Sequence, residues 1–542
     1  MAYAFTSLFR QALKSDEVTM TERLRAPILT GLLLMACVPA LAQTTSLPEV
    51  KHDTSAPLSS IPAPPDAQTR SRLERIEHRV KPLPRPAPRG EQAIRPDSAR
   101  QLTATRRFQP TVLQGFNGIG GITGYTVQSD PPDTTAAVGP TQVVEWVNTA
   151  LAVFDKDTGA IQGHILDGNS LFAGFGGNCE MFNDGDPIVA YDKLANRWVL
   201  SQFAVTGGER GGTFSYCVAV SQGTDAVGAY NRYEFKFSDF NDYPKMAVWP
   251  DGYYVSFNMF HQNSFTGAKV CALARDKMLA GQAATMQCFD VPEQGGLLPA
   301  DLDGTTAPPA GTPNYVLNFD FDGLHLNLWK FHVDWTNAAN STFAKSSPIA
   351  VTRFAPACDS CIVQPPGGVS LQSLGDRLMY RLAYRQFADH TSLVVNHTVG
   401  VSGGVGQTGI RWYELRNVET SPAVFQQSTY APNNSFRWIG SVAMDKAGNM
   451  LLGYSVSSRM VKPSIAFTGR QAMDPVNTMS AEQIVLPGTG VQTDPDRWGD
   501  YASVTLDPTD DCTFYFATQY LKVKGSFNWQ TRIAKFKFPS CQ

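Results

Sequence analysis

The strongest structural signal in this chain lies in the stretch "DGDPIVAYDKLANRWVLSQF", which runs from Asp184 to Phe203. A charged start leads into a short run of small and apolar residues, and the segment "DKLAN" then supplies turn-forming residues. A second apolar run, which contains Trp198, follows the turn. Apolar runs of this length, bounded by Asp, Asn and Pro, are typical of β-strands. The stretch is therefore predicted to form a strand, a tight turn and a second strand.

The same pattern recurs along the chain. The clearest copies are "NDYPKMAVWPDGYYVSFNMF" from Asn241, "RWIGSVAMDKAGNMLLGYS" from Arg437 and "RWGDYASVTLDPTDDCTFYFAT" from Arg497. Looser copies lie at residues 133–148, 315–331 and 369–387. Each interval between copies has room for four short strands, and a four-stranded sheet repeated radially is a β-propeller blade. The sequence thus predicts an all-β fold, a seven-bladed β-propeller of four-stranded antiparallel blades.

The boundaries of that predicted propeller follow from the flanking composition. Residues 111–542 form the propeller domain, and "TVLQGFNGI" at 111–119 is expected to add a strand to the last blade and close the ring. Residues 43–110 are a basic, Pro-rich linker, because "SAPLSSIPAPPDAQ" and "VKPLPRPAPRGEQ" favour extended polyproline conformations. This linker either tethers the body across an envelope layer or remains as an unstructured spacer.

The first 42 residues carry an export signal. From Met20, an alternative start, Arg23 and Arg25 precede an apolar stretch that ends at the cleavage pattern Ala40-Leu41-Ala42. The apolar stretch is too short for a transmembrane span. An alternative is lipid anchoring, because "LMAC" ending at Cys37 loosely resembles a bacterial lipobox. The protein is therefore expected to be secreted or periplasmic.

Export gives the remaining cysteines a structural meaning, since disulfides persist in oxidising compartments. Eight cysteines remain after Cys37, and their spacing predicts four local bridges. These are Cys179–Cys217, Cys271–Cys288, Cys358–Cys361 and Cys512–Cys541. A redox or zinc site at "CDSC" is the alternative for the third pair, but the chain has no second C-x-x-C.

Charge is distributed unevenly between the linker and the body. Residues 43–110 contain 12 Lys and Arg against 7 Asp and Glu, whereas the whole chain has a net charge of −3. The body after residue 110 is therefore acidic, which argues against nucleic-acid binding. An extracellular glycan or an envelope protein is the expected partner, and oligomeric state is not predicted.

Three of the predicted turns resemble a known motif. The hairpins around Asp192, Asp445 and Asp507 resemble the Asp-box turn of sialidases and other BNR-repeat propellers, without the leading Ser in register. The body also resembles a group of exported bacterial proteins that share the sequence motifs "GDP-x-V-x-Y-D…RW" and "RWGDY-x-S". Because the Asp box stabilises a turn, the resemblance implies a propeller fold and carries no reaction.

In a propeller, the segments that lead into the inner strands meet on one face. We therefore expect the charged and aromatic residues of these segments to converge. Catalytic candidates are Asp186, Asp242, Asp500, Tyr243 and Tyr501. Ligand-binding candidates are Arg437, Trp438, Arg497, Trp498, Asp133 and Arg381.

This mixture of residues suits carbohydrate chemistry. Aromatic faces stack on sugar rings, and carboxylates or guanidinium groups make directional bonds to hydroxyl or acid groups. A glycosidase needs two carboxyls that flank the scissile bond, and a sialidase-type site needs an arginine cluster with a Tyr nucleophile. The sequence predicts a propeller that binds a glycan or protein, with a carbohydrate-active hydrolase or lyase as the alternative, so catalysis itself stays undecided.

The same residues also have structural explanations. An Asp at the start of a strand often caps backbone N–H groups, and an Arg-Trp pair can seal a groove between blades. No cofactor is firmly implied. Calcium is an alternative, because oxygen ligands gather in "NDGD" and "DPTDD", although neither matches an EF-hand loop. The sequence lacks the H-E-x-x-H, G-x-S-x-G, P-loop and dinucleotide-binding patterns.

Overall fold

The computed structural model describes residues 44–63, 76–77, 82–84, 96–103, 109–207, 212–401 and 406–542. The predicted signal peptide at residues 1–42 and the acylation alternative at Cys37 lie outside the described residues. Among the residues that are described, no helix has the length and apolar character needed to cross a bilayer.

Six strands precede the repeated part of the chain. They are β1 (Thr45–Pro48), β2 (Lys51–Thr54), β3 (Ile76–Glu77), β4 (Arg100–Gln101), β5 (Thr111–Gly120) and β6 (Ser129–Asp130).

Antiparallel sheets of four main strands then follow one another along the chain. Sheet 1 contains β7 (Thr135–Val138), β8 (Gln142–Val147), β9 (Ala150–Asp155) and β10 (Leu166–Asp167). Sheet 2 contains β11 (Gly185–Asp192), β12 (Arg197–Thr206), β13 (Thr213–Ser221) and β14 (Tyr230–Phe237). Sheet 3 contains β15 (Phe240–Trp249), β16 (Gly252–His261), β17 (Ser264–Leu273) and β18 (Thr285–Val291).

Sheets 4 and 5 are joined, because their first strands pair in parallel. Sheet 4 contains β19 (Leu298–Asp303), β20 (Asn314–Phe319), β21 (His325–His332), β22 (Thr342–Lys345) and the short β23 (Ile349–Ala350). The connection to sheet 5 contains β24 (Ala355–Pro356), β25 (Ser360–Ile362) and β26 (Leu371–Gln372). Sheet 5 contains β27 (Met379–Gln386), β28 (Thr391–Gly400), β29 (Thr408–Arg416) and β30 (Ala423–Tyr430).

The last two sheets complete the chain. Sheet 6 contains β31 (Phe436–Met444), β32 (Met450–Ser457), β33 (Ser464–Arg470) and β34 (Gln483–Leu486). Sheet 7 contains β35 (Ser503–Leu506), β36 (Thr513–Leu521), β37 (Trp529–Lys537) and, from the beginning of the body, β5. Described helical elements are short: α1 (Asn178–Met181), α2 (Arg275–Leu279) and 3₁₀ turns at Leu58–Ser60, Gly121–Thr123, Gly168–Phe172 and Ala338–Asn340.

The sheets are arranged as a β-propeller. The first strand of each sheet contacts the first strand of the next, and β35 contacts β7, so the contacts form a closed cycle. β5 pairs antiparallel with β37, from Thr111 opposite Lys537 to Gly120 opposite Gln530, which confirms the predicted closure of the ring. The all-β class and the repeated four-stranded sheets predicted from the sequence are thus confirmed.

The first strands lie at the centre and are almost completely buried. Because both faces of these strands are covered, their sequences are continuous runs of small or apolar residues, without alternation of polar and apolar positions. Hydroxyl side chains also join neighbouring first strands. The backbone N–H of Val189 donates to Thr135 Oγ1 at 3.2 Å, and that of Ala136 donates to Ser503 Oγ at 2.9 Å. The Ser and Thr residues of these strands therefore hold adjacent sheets together.

All four predicted disulfides are present. Cys179–Cys217 joins α1 to β13, and Cys271–Cys288 joins directly opposed residues of β17 and β18. Local bridges of this kind stabilise a chain by roughly 2–4 kcal/mol each. They are compatible with an extracellular or periplasmic protein.

Part of the predicted linker is strand, a difference from the expected tether or spacer. β1 pairs with β18, β2 pairs with β14 and β4 pairs with β30, so this arm adds an outermost strand to sheets 3, 2 and 5. Arg232 of β14 holds Asp53 of β2 through two hydrogen bonds of 2.8 Å. The physical reason is that an outermost strand leaves N–H and C=O groups unpaired, and the arm pairs them.

Candidate functional site

The segments that lead into the first strands share an unusual backbone conformation. Asp133, Asp186, Tyr243 and Ile439 have φ of 49°, 43°, 55° and 49°. Three of these residues lie within irregularities of the pairing between first and second strands. A left-handed conformation is costly for residues other than glycine, by roughly 1–3 kcal/mol, and such residues concentrate at functional sites. The repeated strain therefore marks the face formed by these leading segments.

A hydrogen-bond network joins the leading segments of sheets 7, 1 and 2. Asn148, after β8, donates through Nδ2 to Asp133 Oδ2 at 2.7 Å and accepts from the N–H of Asp186 at 2.9 Å. The N–H of Asp500 donates to Asp133 Oδ1 at 2.6 Å. Arg497 donates through Nη2 to Asp500 Oδ1 at 2.7 Å. Residues far apart in sequence are thus held close together at the axis.

Sheet 3 contributes a lysine and a tyrosine to the same cluster. Lys245 Nζ lies 3.3 Å from the centre of the Tyr243 ring and 4.0 Å from that of Tyr501. The Tyr501 hydroxyl donates to the carbonyl of Pro187 at 3.0 Å, and the Tyr243 hydroxyl donates to that of Asp500 at 3.3 Å. Both phenols therefore donate to the backbone of leading segments that belong to other, non-adjacent sheets.

Sheet 5 adds a pair of residues that the sequence analysis missed. Arg377 bonds Asp376 through Nε and Nη2 at 2.8 and 3.1 Å, and its guanidinium lies 4.4 Å from the centre of the Tyr243 ring. The pair occurs in "LGDRLM", which looks like an ordinary turn. An Asp-Arg dipeptide in a leading segment was the available signal.

Burial dominates the electrostatics of this cluster. It raises the pKa of Asp186 well above its usual range, and the neighbouring carboxyls of Asp133, Asp242 and Asp500 raise it further. Burial also raises the pKa of Asp500 to about 6, against the opposing effect of Arg497. For Lys245, burial lowers the pKa to about 7, although Asp186 and Asp500 favour its charged form.

Asp133 differs from Asp186 in its partners. Burial raises its pKa, while Arg497, the N–H of Asp500 and the amide of Asn148 all stabilise its charged form. Adjacent carboxyls in unlike environments are the arrangement that general acid–base chemistry uses.

Several buried amide groups near this face lack hydrogen-bond partners among the described residues. The side-chain N and O atoms of Gln202 and Asn241 have none, and neither has Nδ2 of Asn258. Asn241 precedes Asp242, Asn258 lies opposite Asp242, and Gln202 lies opposite the irregularity that contains Asp186. Buried polar atoms are normally satisfied, so water or a bound ligand is the expected partner.

The structure places the other candidate residues outside this cluster. Arg381 is buried and bonds Asp301 and Asp303 at 2.6 and 2.7 Å. Arg437 is buried and bonds both carboxylate oxygens of Glu482, at 2.6 and 3.0 Å.

The two tryptophans of the Arg-Trp pairs lie against each other. Trp438 and Trp498 are buried, with ring centres 5.5 Å apart, and Trp498 Nε1 donates to Ser455 Oγ at 3.1 Å. Neither ring presents a face for stacking on a ligand.

Within the part of the chain that the structure describes, no group of three or more His, Cys, Asp and Glu side chains is arranged to hold a metal ion. The aspartates of "DPTDD" have cationic partners. Lys156 pairs with Asp507 at 3.0 Å, Lys537 pairs with Asp510 at 2.9 Å and Arg385 pairs with Asp511 at 2.6 Å. All three of these aspartates are therefore engaged in ion pairs with side chains of the protein.

The turns that resemble Asp boxes are closed by their aspartates. Asp192 Oδ1 accepts from the N–H groups of Leu194 and Ala195 at 3.1 and 3.0 Å. Asp445 accepts in the same way from Ala447, and Asp507 from Thr509, both at 2.9 Å. These aspartates stabilise the fold and lie at the opposite end of the first strands from the leading segments.

Comparisons with known proteins give a fold likeness only. No protein-family model matches the chain, and no curated protein matches it. A Penicillium chrysogenum α-L-arabinanase structure is 9% identical over 66% of this chain and 98% of its own, with a TM-score of 0.33. The WD40 domain of SCAP from fission yeast is 8% identical over 83% and 99%, with a TM-score of 0.33. At such identities and TM-scores, neither likeness assigns an activity.

Proposed function

We propose that each of the sheets 1 to 7 is one blade of a seven-bladed β-propeller, exported from the cell, that binds a glycan at the face formed by the leading segments. The observation that carries this proposal is the convergence of ionisable side chains from sheets 1, 2, 3, 5 and 7 on one cluster. Its carboxyls are Asp133, Asp186, Asp242, Asp376 and Asp500, and its cations are Lys245, Arg377 and Arg497.

The contacts indicate how a ligand would be recognised. Lys245 and Arg377 both pack on the Tyr243 ring, so this ring is not free to stack on a sugar. Recognition then depends on Asp242, which is partly exposed, and on the unpartnered amides of Gln202 and Asn241. Such groups suit the hydroxyl and amino groups of a sugar. Because carboxyls outnumber cations, a neutral or amino sugar fits the cluster better than an acidic one.

Titration calorimetry with the purified chain and neutral, amino and acidic oligosaccharides tests this proposal. We expect neutral or amino oligosaccharides to bind, and Asp242→Asn to weaken binding at least tenfold. The matched control is Asp290→Asn, because Asp290 is an exposed residue of β18 outside the cluster. Preference for acidic oligosaccharides, or unchanged affinity in Asp242→Asn, would contradict the proposal.

A hydrolase is the second candidate function. It is favoured by the contrast between Asp186, whose pKa burial and neighbouring carboxyls raise well above its usual range, and Asp133, where Arg497 and two hydrogen bonds oppose the rise in pKa that burial causes. In this role Asp186 would donate a proton to the leaving oxygen. Release of reducing sugar from a bound oligosaccharide, abolished in Asp186→Asn, is the expected result. Binding of an oligosaccharide without any turnover would contradict the hydrolase and support the non-catalytic binding function.

A further inference from the structure

The four disulfides differ in their access to solvent. The six cysteines of the other three bridges are at most 2% exposed, whereas Cys358 and Cys361 are both partly exposed. Asp359 and Ser360, which lie between them in the sequence, are exposed. Thiol–disulfide exchange requires a thiolate to reach a sulfur atom of the bridge, and exposed bridges are the labile ones. Cys358–Cys361 is therefore the bridge that an external thiol can attack.

The same bridge also closes the shortest loop. Its cysteines are 3 positions apart, whereas those of the other bridges are 17, 29 and 38 positions apart. In the chain-entropy account, a disulfide stabilises the fold by restricting the unfolded chain, and the restriction grows with the length of the closed loop. Opening of this bridge should therefore destabilise the fold less than opening of any of the other three.

The bridged loop is bound to the segment that leads into sheet 5. Cys361 lies at an irregularity in the pairing of β25 with β26. The N–H of Ser373, the residue after β26, donates to the carbonyl of Asp359 at 2.8 Å. The Ser373 hydroxyl donates to the carbonyl of Cys358. The position of this segment therefore depends on the conformation of the loop that the bridge closes.

One route of contacts leads from the loop to Arg497. Ser360 donates through Oγ to Asp496 Oδ2, and the N–H of Gln372 donates to the carbonyl of Asp496 at 2.9 Å. Arg497 donates through Nη1 to Gln372 Oε1 and through Nη2 to Asp500 Oδ1. The side chain of Gln372 therefore connects the loop to the buried cluster.

A second route leads from the loop to the ion pair of sheet 5. Ala357, the residue before Cys358, packs so closely on Gly375 that a Cβ atom added there would lie 2.6 Å from Ala357 Cβ. Gly375 directly precedes Asp376 and Arg377, which belong to the cluster. A change in the bridged loop can therefore reach the cluster from two sides.

We propose that Cys358–Cys361 is a thiol–disulfide exchange site that a dithiol opens, and that its opening loosens the hold of Gln372 on Arg497 and so weakens ligand binding at the face of the leading segments. The second part of this proposal rests on the proposed function of that face. The exchange is a separate property and can be measured without any ligand.

The reaction partner is a dithiol, which supplies both electrons. One of its thiolates attacks a sulfur of the bridge, the S–S bond breaks, and the other sulfur leaves as a thiolate that takes up a proton. The second thiol of the dithiol then attacks the mixed disulfide, which releases the remaining cysteine as a thiol. The dithiol loses two protons and two electrons and becomes a disulfide, and the protein gains two thiols.

Alkylation of the folded protein tests the exchange. The intact chain is treated with dithiothreitol, free thiols are trapped with iodoacetamide, and mass spectrometry measures the modification of each cysteine. We expect Cys358 and Cys361 to be alkylated at least tenfold faster than the six cysteines of the other bridges. Near-ultraviolet circular dichroism verifies that the ring stays folded. Equal rates of alkylation at all eight cysteines would overturn the exchange site.

Hydrogen exchange followed by mass spectrometry tests the link to the cluster. Dithiothreitol should speed amide exchange at least fivefold in residues 371–378 and 494–501, and leave residues 197–206 of β12 unchanged. The variant Cys358→Ser with Cys361→Ser should exchange fast without dithiothreitol, and dithiothreitol should then have no further effect. Unchanged exchange in both segments would overturn the link. The comparison of oxidised and reduced wild type decides this result even where the double variant fails to fold.

Oligosaccharide binding to the oxidised and reduced chain separates the two proposals. If alkylation and hydrogen exchange change as expected but no oligosaccharide binds to either form, the proposed glycan function fails while the exchange site stands. If oligosaccharides bind equally to both forms, the glycan function stands and the control of the face by the bridge is overturned. An affinity at least fivefold lower in the reduced form is the expected result.

Discussion

Aspartates lie at both ends of the central strands, and Asp192 and Asp303 at the turn end differ from Asp186 at the leading end in their charged partners. At the turn end, Arg275 of the neighbouring sheet bonds Asp192 at 2.7 and 3.2 Å. Burial alone would raise the pKa of Asp303 there, but Arg381, Lys193 and Arg385 together lower it. At the leading end, Asp186 has an elevated pKa, because burial and other carboxyls outweigh Lys245.

The difference shows that residue type alone does not assign a role to a buried carboxyl. Where an arginine of a neighbouring sheet pairs with the aspartate, as Arg275 does with Asp192, the ion pair holds two sheets together. Where carboxyls outnumber cations and amides lack partners, the protein carries an electrostatic cost that a purely structural site would not need. This contrast is the reason why we place the proposed ligand-binding site at the leading end.

The largest expected effect comes from the turn end. Arg275→Met leaves the fully buried Asp192 carboxylate without its cation, which should lower the free energy of unfolding by about 3–5 kcal/mol. Urea unfolding followed by fluorescence measures this loss. The control is Lys269→Met, whose partner Asp290 is 63% exposed, and which should cost about 1 kcal/mol or less. Equal losses of unfolding free energy in the two variants would contradict the distinction between buried and exposed ion pairs.

A pH series sharpens the contrast at the leading end. The pKa of Lys245 in the folded chain is lowered to about 7, below its ordinary value of 10.5. Its contribution to stability is therefore fully present above pH 10.5 and is lost as pH falls through 7. Between these limits it makes the free energy of unfolding rise with pH, by at most about 1.4 kcal/mol per unit. Urea unfolding of Lys245→Met at pH 7, 8 and 9 should lack this rise, and parallel curves for variant and wild type would contradict the burial of the charge.

The smallest effect has the opposite sign to that of Arg275→Met. Asp186→Asn removes a carboxyl whose ionisation the folded state disfavours, so at pH 7 the free energy of unfolding should increase by about 1 kcal/mol or more. Thermal unfolding at pH 7 and at pH 4 measures it, and the gain should shrink at pH 4, where the carboxyl is protonated. A destabilised variant at pH 7 would make Asp186 a structural residue like Asp192.

Much of the fold could be predicted from the sequence, because strand patterns and turns are local. The hairpin around Asp192, the bridge between Cys271 and Cys288 and the ring-closing strand from Thr111 all depend on short-range patterns or on spacing. The convergence of Asp186 and Asp500 followed from the repeat itself, since equivalent ends of radial strands meet.

The partners of individual side chains could not be predicted in this way. Arg437 and Arg381 were predicted to bind a ligand, but they form buried ion pairs with Glu482 and Asp301. The sequence does not show which carboxylate lies beside which arginine. Arg377 was missed because the long connection before β27 hides the start of that sheet. The strands of the arm were missed because a Pro-rich sequence resembles a spacer. Their pairing is explained only by the unpaired outer strands of the body.

The pairing of β5 with β37 has a consequence for how the protein acquires its structure. The two strands lie far apart in the chain, so sheet 7 is incomplete until β37 has been synthesised. Until then β5 is an unpaired strand, and such strands pair readily with the wrong partner. Contacts between such distant parts of a chain also form slowly. A chain that lacks β37 would lose more than one hairpin. Its ring would stay open, and the unpaired edge strand β5 would be free to pair with other chains and cause aggregation.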